Sequence, residues 1–340
     1  HRRGPPPPPG GGARAAVDAP AGGAVRPGAR FTFLGPEGTF TEAALRQIPG
    51  VAESEVTASV SVISALAAVR SGAADYAMVP IENSVEGGVS ATVDDVASGD
   101  DLQILAEVLV PISFVLVGRQ GVRLEDVRRV TTHTHAWAQV RGWADAQLPQ
   151  AEFTPAPSTA AGARLLLPQT TDEGPAIPAF DAAVCAPLVA EQTGLPVLAE
   201  RIEDTAGAVT RFVLVGRPGP LPAPTGTDKT TLTVPLPNDH PGALLEILEQ
   251  FSTRGINLSR IESRPTGTGL GQYFFSLDLE GHLAEERVQA ALAALHRIFP
   301  GVRFLGSYPR AVEREVQVPG HMSDEAYRRG REWVRGLLRR

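Results

Sequence analysis

The chain has 340 residues, of which 43% are hydrophobic, and this is enough for two domains of ordinary size. Its formal net charge is -7, and acidic residues outnumber basic ones between residues 31 and 310, which argues against a nucleic-acid-binding core. No apolar run approaches the roughly 18 residues that a membrane span needs, and Cys185 is the only cysteine, so an intrachain disulfide is excluded. We therefore expect a cytoplasmic protein without nucleic-acid or membrane partners.

Residues 1–30 consist mainly of Pro, Gly, Ala and Arg, and we predict that they are disordered because such a segment cannot bury a core. Strand-like apolar runs then alternate with helix-like segments as far as residue 216. The predicted strands are residues 31–34, 55–59, 76–81, 127–131, 182–185 and 211–215. A long apolar run over residues 102–117 is broken at Pro111, which predicts a passage between two lobes. The alternation predicts an α/β domain with mostly parallel sheets over residues 31–216.

The pattern changes after residues 217–228, which are rich in proline and glycine and indicate a linker. Residues 229–310 have a βαββαβ pattern, the split arrangement of ferredoxin-like domains. Residues 311–340 form a C-terminal tail that ends in a predicted helix with Ser323 as its N-cap. We expect this helix to dock weakly on its own protein. Because it is rich in arginine, binding to an acidic surface is the alternative.

Polar, glycine-bearing segments follow several of the predicted strands. In open α/β folds, functional residues gather at the C-terminal ends of strands, where helix N-termini offer free N–H groups. These segments are residues 35–41, 82–84, 132–133, 158–159 and 204–212. Their recurrence predicts a cleft that binds an anion through neutral donors, helix N-termini and one Arg, without a metal or a cofactor. His133 and His135 have no third ligand in view, so they do not indicate a metal site.

Five motifs, in the same order along residues 31–216, resemble those of the prephenate dehydratase family. They are Phe33-Leu34-Gly35-Pro36-Glu37-Gly38-Thr39-Phe40-Thr41, Pro80-Ile81-Glu82-Asn83-Ser84, the His133 to Gln139 helix start, Ser158-Thr159-Ala160 and Thr210-Arg211-Phe212. The βαββαβ segment resembles the ACT domain of those enzymes, with Gly242-Ala243-Leu244 and Glu262-Ser263-Arg264-Pro265. The resemblance implies a two-lobed, periplasmic-binding-protein-like catalytic domain followed by a ferredoxin-like ACT domain.

The resemblance also implies an activity, the loss of CO₂ and water from prephenate to give phenylpyruvate in L-phenylalanine biosynthesis. Thr210 matches the threonine that donates a proton or hydrogen bond to the departing hydroxyl. Glu82 is a rival donor, because burial raises the pKa of a carboxyl above its usual value of about 4.3. Arg211 is expected either to meet a substrate carboxylate or to form an internal salt bridge. The residues expected to bind and orient the substrate are Asn83, Ser84, Thr132, Gln139 and Ser158.

The ACT resemblance implies a regulatory site for L-phenylalanine between two copies of the domain, and hence a homodimer or homotetramer. Feedback inhibition at such a site requires unequal affinity for two conformations. The positions expected to bind L-phenylalanine are Asn238, Gly242, Ala243, Leu244, Glu262, Ser263, Arg264 and Pro265.

Two alternatives remain at the level of the sequence. Arogenate differs from prephenate only by an amino group in the side chain, and no residue distinguishes an arogenate dehydratase. A non-catalytic protein that binds a small anion is the other, since two α/β lobes joined by a crossover also describe solute receptors. The chain departs from the family pattern at Gly207-Ala208, where asparagines are usual, and at His135, where many members have Gln.

Overall fold

The computed structural model describes residues 25–26, 28–84, 87–171, 174–236, 240–267, 272–312, 314 and 316–339. The predicted disordered segment therefore lies almost wholly outside the described residues. In the part of the chain that the structure describes, there is one large sheet in each of two lobes, a four-stranded sheet near the C-terminus, and a small two-stranded sheet over residues 169–176.

The first lobe begins with two parallel strand pairs, in which Arg30–Leu34 pairs with Glu55–Ser59 and with Tyr76–Asn83. Its elements in chain order are β1 (Arg30–Leu34), α1 (Phe40–Leu45), β2 (Glu55–Ser59), α2 (Val62–Ser71), β3 (Tyr76–Asn83), β4 (Gly87–Gly88), α3 (Ser90–Ser98) and β5 (Gln103–Pro111). Local signals set the ends of α2: Ser61 and Ser64 form a capping box, and Gly72 ends the helix with φ 79°.

The second lobe starts where the chain passes Pro111 and enters another sheet, as the broken apolar run predicted. Its elements are β6 (Val115–Gly118), β7 (Arg129–Thr132), α4 (Thr134–Gln147), β8 (Glu152–Pro155), α5 (Thr159–Arg164), β9 (Gln169–Thr171), β10 (Gly174–Ala176), β11 (Ala182–Cys185), α6 (Pro187–Thr193) and β12 (Val197–Glu200). The order in the main sheet of this lobe is β12-β6-β11-β7-β8. Cys185 lies in its core, where burial raises the pKa of the thiol to about 12.

The chain returns to the first lobe through β13 (Val209–Gly216), which lies between β3 and β5 and is antiparallel to both. The first sheet therefore has the order β2-β1-β3-β13-β5, with β4 paired to β3. The prediction of mostly parallel sheets is wrong for this lobe. The chain leaves the first lobe at the end of β5 and returns to it at the start of β13, so these neighbouring strands run in opposite directions. Parallel neighbours would instead need a crossover connection, which is usually a helix.

The third sheet completes the predicted βαββαβ pattern, and the fold class is confirmed. Its elements are β14 (Asp228–Leu236), α7 (Ala243–Ser252), β15 (Leu258–Pro265), β16 (Tyr273–Glu280), α8 (Glu286–Ile298) and β17 (Arg303–Pro309), with the strand order β15-β16-β14-β17. Helices α7 and α8 cover one face, where Phe251 and Val288 pack with Leu277. The other face meets the first lobe, because Phe274 and Tyr308 belong to the same apolar cluster as strands β3, β5 and β13.

The tail contains α9 (Asp324–Leu337), and the side chain of Ser323 accepts a hydrogen bond from Ala326 N at its start. The helix docks on α8 through charges, since Arg331 and Arg328 both pair with Glu286. Over the described ranges, we find no helix with the length and apolar character needed to cross a membrane.

Candidate active site

A cavity of about 540 Å³ lies between the two lobes. Its lining residues are Thr39, Phe40, Asn83, Ile112, Phe114, His133, His135, Ala136, Ala138, Gln139, Pro157, Ser158, Thr159, Glu203, Asp204, Thr205, Ala208 and Thr210. The volume suits a small-molecule ligand, and the lining combines apolar walls with a few polar groups, as ligand sites usually do. The five segments predicted from the sequence all contribute to it.

Thr210 and Asn83 meet at one end of this cavity. They face each other across the antiparallel pair of β13 and β3, and Asn83 Nδ2 donates to Thr210 Oγ1 at 2.8 Å. The register shifts next to this pair, where Arg211 is opposite Glu82 and Phe212 is opposite Pro80. Because Thr210 and Asn83 are directly opposed on neighbouring strands, their side chains lie on the same face of the sheet, which is the cavity side.

Three helices begin at the cavity. Their N-caps are Thr39 for α1, His133 for α4 and Ser158 for α5, and each cap side chain accepts a hydrogen bond from its own first turn. The N-terminus of a helix carries partial positive charge and free N–H groups, so it attracts anions. The three helix starts together make this cavity favourable for a negatively charged ligand.

Gln139 reaches the cavity from α4, which Asp204 contacts at three points. The backbone N–H of Asp204 donates to Gln139 O at 2.8 Å, and its two carboxylate oxygens accept from the N–H groups of Gly142 and Trp143, both at 2.8 Å. A Cβ at Gly142 would lie 2.9 Å from the Asp204 carboxylate. Glycine at position 142 therefore allows Asp204 to approach α4 and to hold the backbone of Gln139.

Four of the predicted site residues, Glu82, Ser84, Thr132 and Arg211, lie outside the cavity. Glu82, Ser84 and Arg211 line a different cavity, of about 250 Å³, because successive strand residues point to opposite faces. Thr132 is fully buried, and its hydroxyl donates to Val184 O at 2.7 Å. The expected contact of Arg211 with a substrate carboxylate is thus replaced by the alternative, an internal salt bridge.

The salt bridge of Arg211 is part of a buried ionic cluster. Its Nε donates to Glu107 at 2.6 Å, and its Nη2 donates to the Tyr308 hydroxyl at 2.8 Å. Its Nη1 pairs with the Asp278 carboxylate. Burial works to raise the pKa of Asp278, but the guanidinium groups of Arg211 and Arg260 outweigh it and hold that pKa well below its usual range. Burial likewise works to raise the pKa of Glu107, and the charges of Arg211 and Lys229 lower it overall. Both carboxylates are therefore ionised.

Other residues of the cavity were not among the predicted site residues. Thr39 and Phe40 belong to the first of the five family motifs, and their position next to a glycine-rich turn is the signal that points to them. The sequence contains little that identifies Glu203 and Asp204 as site residues. Asp204 is the first residue of the predicted polar segment 204–212, and Glu203 lies just before that segment. The Glu203 carboxylate accepts from Ser113 Oγ at 3.1 Å and from Phe114 N at 2.9 Å, so it fixes the crossing between the lobes.

Comparisons with known proteins agree with this geometry. The family model of prephenate dehydratase matches residues 31–220, and that of the ACT domain matches residues 230–297. The prephenate dehydratase of Mycobacterium ulcerans (strain Agy99) is 46% identical over 306 residues, which cover 88% of this chain and 93% of that protein. The chain belongs to the prephenate dehydratase family.

Solved structures of similar proteins extend the comparison. The prephenate dehydratase of Arthrobacter aurescens, in complex with L-Phe, is 58% identical, with a TM-score of 0.82 over 92% of this chain and 100% of that one. A protein described as GqqA, a novel type of quorum-quenching acylase, is 31% identical, with a TM-score of 0.70 over 82% of this chain and 97% of that one. The scaffold of prephenate dehydratases thus occurs in a protein described by another activity.

The predicted regulatory residues lie on two elements of the ACT domain. Gly242, with φ 93°, precedes α7, which begins with the buried Ala243 and the exposed Leu244. The residues Glu262, Ser263, Arg264 and Pro265 belong to β15, an outer strand of the sheet. Asn238 lies outside the described residues.

Two of these predicted regulatory residues contact the catalytic domain. Arg264 pairs with both carboxylate oxygens of Asp94 on α3, at 2.9 and 2.7 Å. A Cβ at Gly88 would collide with the Glu262 carboxylate, so that carboxylate lies directly over β4. β4 in turn pairs with the end of β3, where Gly87 is opposite Asn83. The predicted regulatory segment is therefore close in the fold to a residue of the cavity.

Proposed function

We propose that this chain converts prephenate to phenylpyruvate, CO₂ and water as a step of L-phenylalanine biosynthesis. The ring carboxylate leaves as CO₂, its bonding electrons enter the ring, and the ring hydroxyl leaves as water with one added proton. The observation that supports this most directly is that Asn83, Gln139, Ser158 and Thr210 come from separate segments and line one cavity. Because the ring becomes aromatic, the enzyme must mainly hold the geometry and help the hydroxyl to leave.

In this proposal Thr210 donates to the departing hydroxyl. Asn83 Nδ2 donates to the Thr210 oxygen at 2.8 Å, which leaves the hydroxyl hydrogen to be directed at another acceptor. The rival donor Glu82 lies on the other face of β3, where its carboxylate is 3.4 Å from the Arg211 guanidinium. The geometry favours Thr210 over Glu82 because only Thr210 borders the cavity.

Binding of the doubly charged substrate is assigned to neutral donors and helix N-termini. Ser158 and His133 stand at the starts of α5 and α4, and Gln139 projects from the second turn of α4. Such donors stabilise an anion without bringing a fixed cation into the cavity. This differs from the prediction in that Arg211 takes no part in binding.

For regulation, we infer that the ACT domain binds L-phenylalanine between two copies of this chain. The L-Phe complex of the Arthrobacter relative supports the ligand, and the position of β15 at the edge of the sheet supports a site shared with a second copy. We propose a homodimer or homotetramer in the cytoplasm, inhibited by the end product. Inhibition follows if L-phenylalanine has higher affinity for a less active conformation.

The test is a turnover assay of the purified full-length chain. Prephenate and arogenate are supplied in parallel, with and without L-phenylalanine, and phenylpyruvate and phenylalanine are quantified. We expect turnover of prephenate, inhibited by L-phenylalanine. Faster turnover of arogenate would establish the alternative dehydratase, and binding of prephenate without turnover of either compound would establish a non-catalytic binding protein.

A further inference from the structure

The residue that follows Thr210 is anchored by the ACT domain. Arg211 has an exposed fraction of 5%, and it points to the side of the first sheet opposite the cavity. One of its partners, Glu107 on β5, belongs to the catalytic domain, whereas Asp278 on β16 and Tyr308 on β17 belong to the ACT domain. The strand that carries Thr210 is thus fastened on its far side by the other domain.

Asp278 is suited to hold this arginine rigidly. It has no exposed surface, and it accepts hydrogen bonds from Thr231 Oγ1 at 2.7 Å and from Arg260 Nε at 3.0 Å in addition to its pair with Arg211. A buried carboxylate with several donors in fixed directions cannot move without leaving charged groups unpaired, which is costly in a protein interior. Asp278 therefore fixes the position of the Arg211 guanidinium relative to the ACT sheet.

The backbone at this point of β13 is held unequally on its two sides. The ladder with β5 is regular from Val209 to Phe212, whereas the ladder with β3 is interrupted by the bulge between Arg211 and Phe212. The buried side chain of Arg211 is thus an additional anchor, on the ACT side of the sheet, for the residue that precedes it. A displacement of about 1 Å in a catalytic group is enough to reduce a rate by about a hundredfold.

Accepting the dehydratase activity proposed above, we propose that Asp278 of the ACT domain is a positioning residue for the reaction. It holds Arg211 and, through the backbone of β13, sets the place of the Thr210 hydroxyl at the cavity. The ACT domain is then a structural part of the active site as well as the carrier of a regulatory site.

The experiment uses the full-length chain and three variants of this link: Asp278→Asn, Arg211→Lys and the double variant. Asp278→Asn keeps the size of the side chain and removes its charge, and Arg211→Lys keeps the charge and removes the planar fork that reaches two carboxylates at once. The matched control is Glu285→Gln, which removes the charge that pairs with the buried Arg287 within the ACT domain at 2.7 Å. Each protein is checked by circular dichroism, and kcat and KM for prephenate are measured.

We expect Asp278→Asn and Arg211→Lys each to lower kcat by about tenfold or more, with KM changed by less than about threefold. The double variant is expected to be no slower than the slower single variant, because both substitutions break the same link. The control Glu285→Gln is expected to keep both constants within about twofold of the unmodified chain.

The outcomes separate this inference from the proposed function. If the unmodified chain turns over prephenate and a folded Asp278→Asn protein has the same kcat, the positioning role is wrong while the proposed function stands. An equal loss in Glu285→Gln would assign the effect to general destabilisation and also overturn the role. Should the unmodified chain itself lack turnover, the proposed function fails, and the positioning role fails with it.

Discussion

At the scale of single residues, the proposed chemistry depends on the hydroxyl of Thr210. We expect Thr210→Val, which keeps the β-branched shape and removes the hydroxyl, to lower kcat by about 10²- to 10³-fold, the usual effect of losing one donor in an active site. KM is expected to change little, because the hydroxyl acts on the leaving group. Thr210→Ser is the control, since it keeps the donor and is expected to retain most of the turnover. Steady-state kinetics with prephenate measures both.

The competing assignment to Glu82 is tested in the same assay with Glu82→Gln. We expect this substitution to cost less turnover than Thr210→Val, because the Glu82 carboxylate faces Arg211 and lies outside the cavity. If Glu82→Gln abolished the reaction and Thr210→Val did not, the assignment of the proton donor would be reversed.

The sequence predicted the kinds of residue at the site better than their directions. The family resemblance implied roles for Asn83, Gln139, Ser158 and Thr210, and all four line the cavity. Glu82, Ser84 and Arg211 lie on the opposite face of the first sheet, and the Thr132 hydroxyl bonds to Val184 O inside the second lobe. Which face of each strand borders the cavity follows from how the lobes and the ACT domain pack, and a local sequence pattern does not contain that information.

Asp75 provides a prediction about pH. Its carboxylate accepts a hydrogen bond from the backbone N–H of Arg30 at 3.0 Å, and this bond together with Arg30 and Arg217 side chains lowers its pKa to about 2. An unfolded Asp has a pKa of about 3.9, so the stabilisation is fully present above about pH 4 and is lost as the pH falls toward 2. We expect Asp75→Asn to lower the free energy of unfolding by about 1–2 kcal/mol at pH 7, after allowance for solvent screening.

Urea unfolding at pH 7 and pH 3 measures this effect for Asp75→Asn. The control is Asp145→Asn, whose carboxylate is 73% exposed and pairs with Arg141 at 4.0 Å, and for which we expect no measurable change. A deficit of Asp75→Asn that was equally large at both pH values would contradict the assigned cause.

At the scale of secondary-structure elements, α4 is expected to depend on a glycine that helix propensity alone would disfavour. A side chain at Gly142 would lie 2.9 Å from the Asp204 carboxylate, so we expect Gly142→Ala to displace Asp204 and with it Gln139. Because Gln139 is assigned to binding, KM for prephenate is expected to rise by about tenfold, which corresponds to the loss of about 1.4 kcal/mol of binding free energy.

A second helical glycine offers the matched control for this substitution. Gly330 lies within α9, and a Cβ there would have no atom within 4 Å. Gly330→Ala is therefore expected to leave KM unchanged and to stabilise its helix by about 0.5–1 kcal/mol. Equal kinetic effects of the two substitutions would show that Asp204 does not act through α4.

The elements themselves were largely predictable, since apolar periodicity and glycine-rich breaks are local. The βαββαβ pattern and the passage at Pro111 were both found from the sequence. The direction of β13 between β3 and β5 was not, because strand order follows from which lobe the chain returns to. The same holds for Asp204, whose partner Gly142 is 62 residues away along the chain.

At the scale of the whole molecule, Arg264 distinguishes two ways in which the ACT domain acts on the cavity. Arg264 pairs with Asp94 on α3. Helix α3 follows β3 and β4 in the chain, and β3 ends at Asn83 of the cavity. Arg264 is therefore placed to transmit a change in β15 to the catalytic domain. We expect Asp94→Asn and Arg264→Gln to shift the concentration of L-phenylalanine for half-inhibition in the same direction, each by about fivefold or more.

Direct contact between Arg264 and the ligand predicts a different result. In that case Arg264→Gln alone would weaken binding of L-phenylalanine measured by calorimetry, and Asp94→Asn would bind as the unmodified chain does. The control is Asp101→Asn, which removes another carboxylate that bridges the two domains, through Arg303 at 2.6 Å, away from β15. We expect this control to leave the half-inhibition concentration unchanged, since coupling between the sites requires an element that responds to the ligand and not merely a contact between domains.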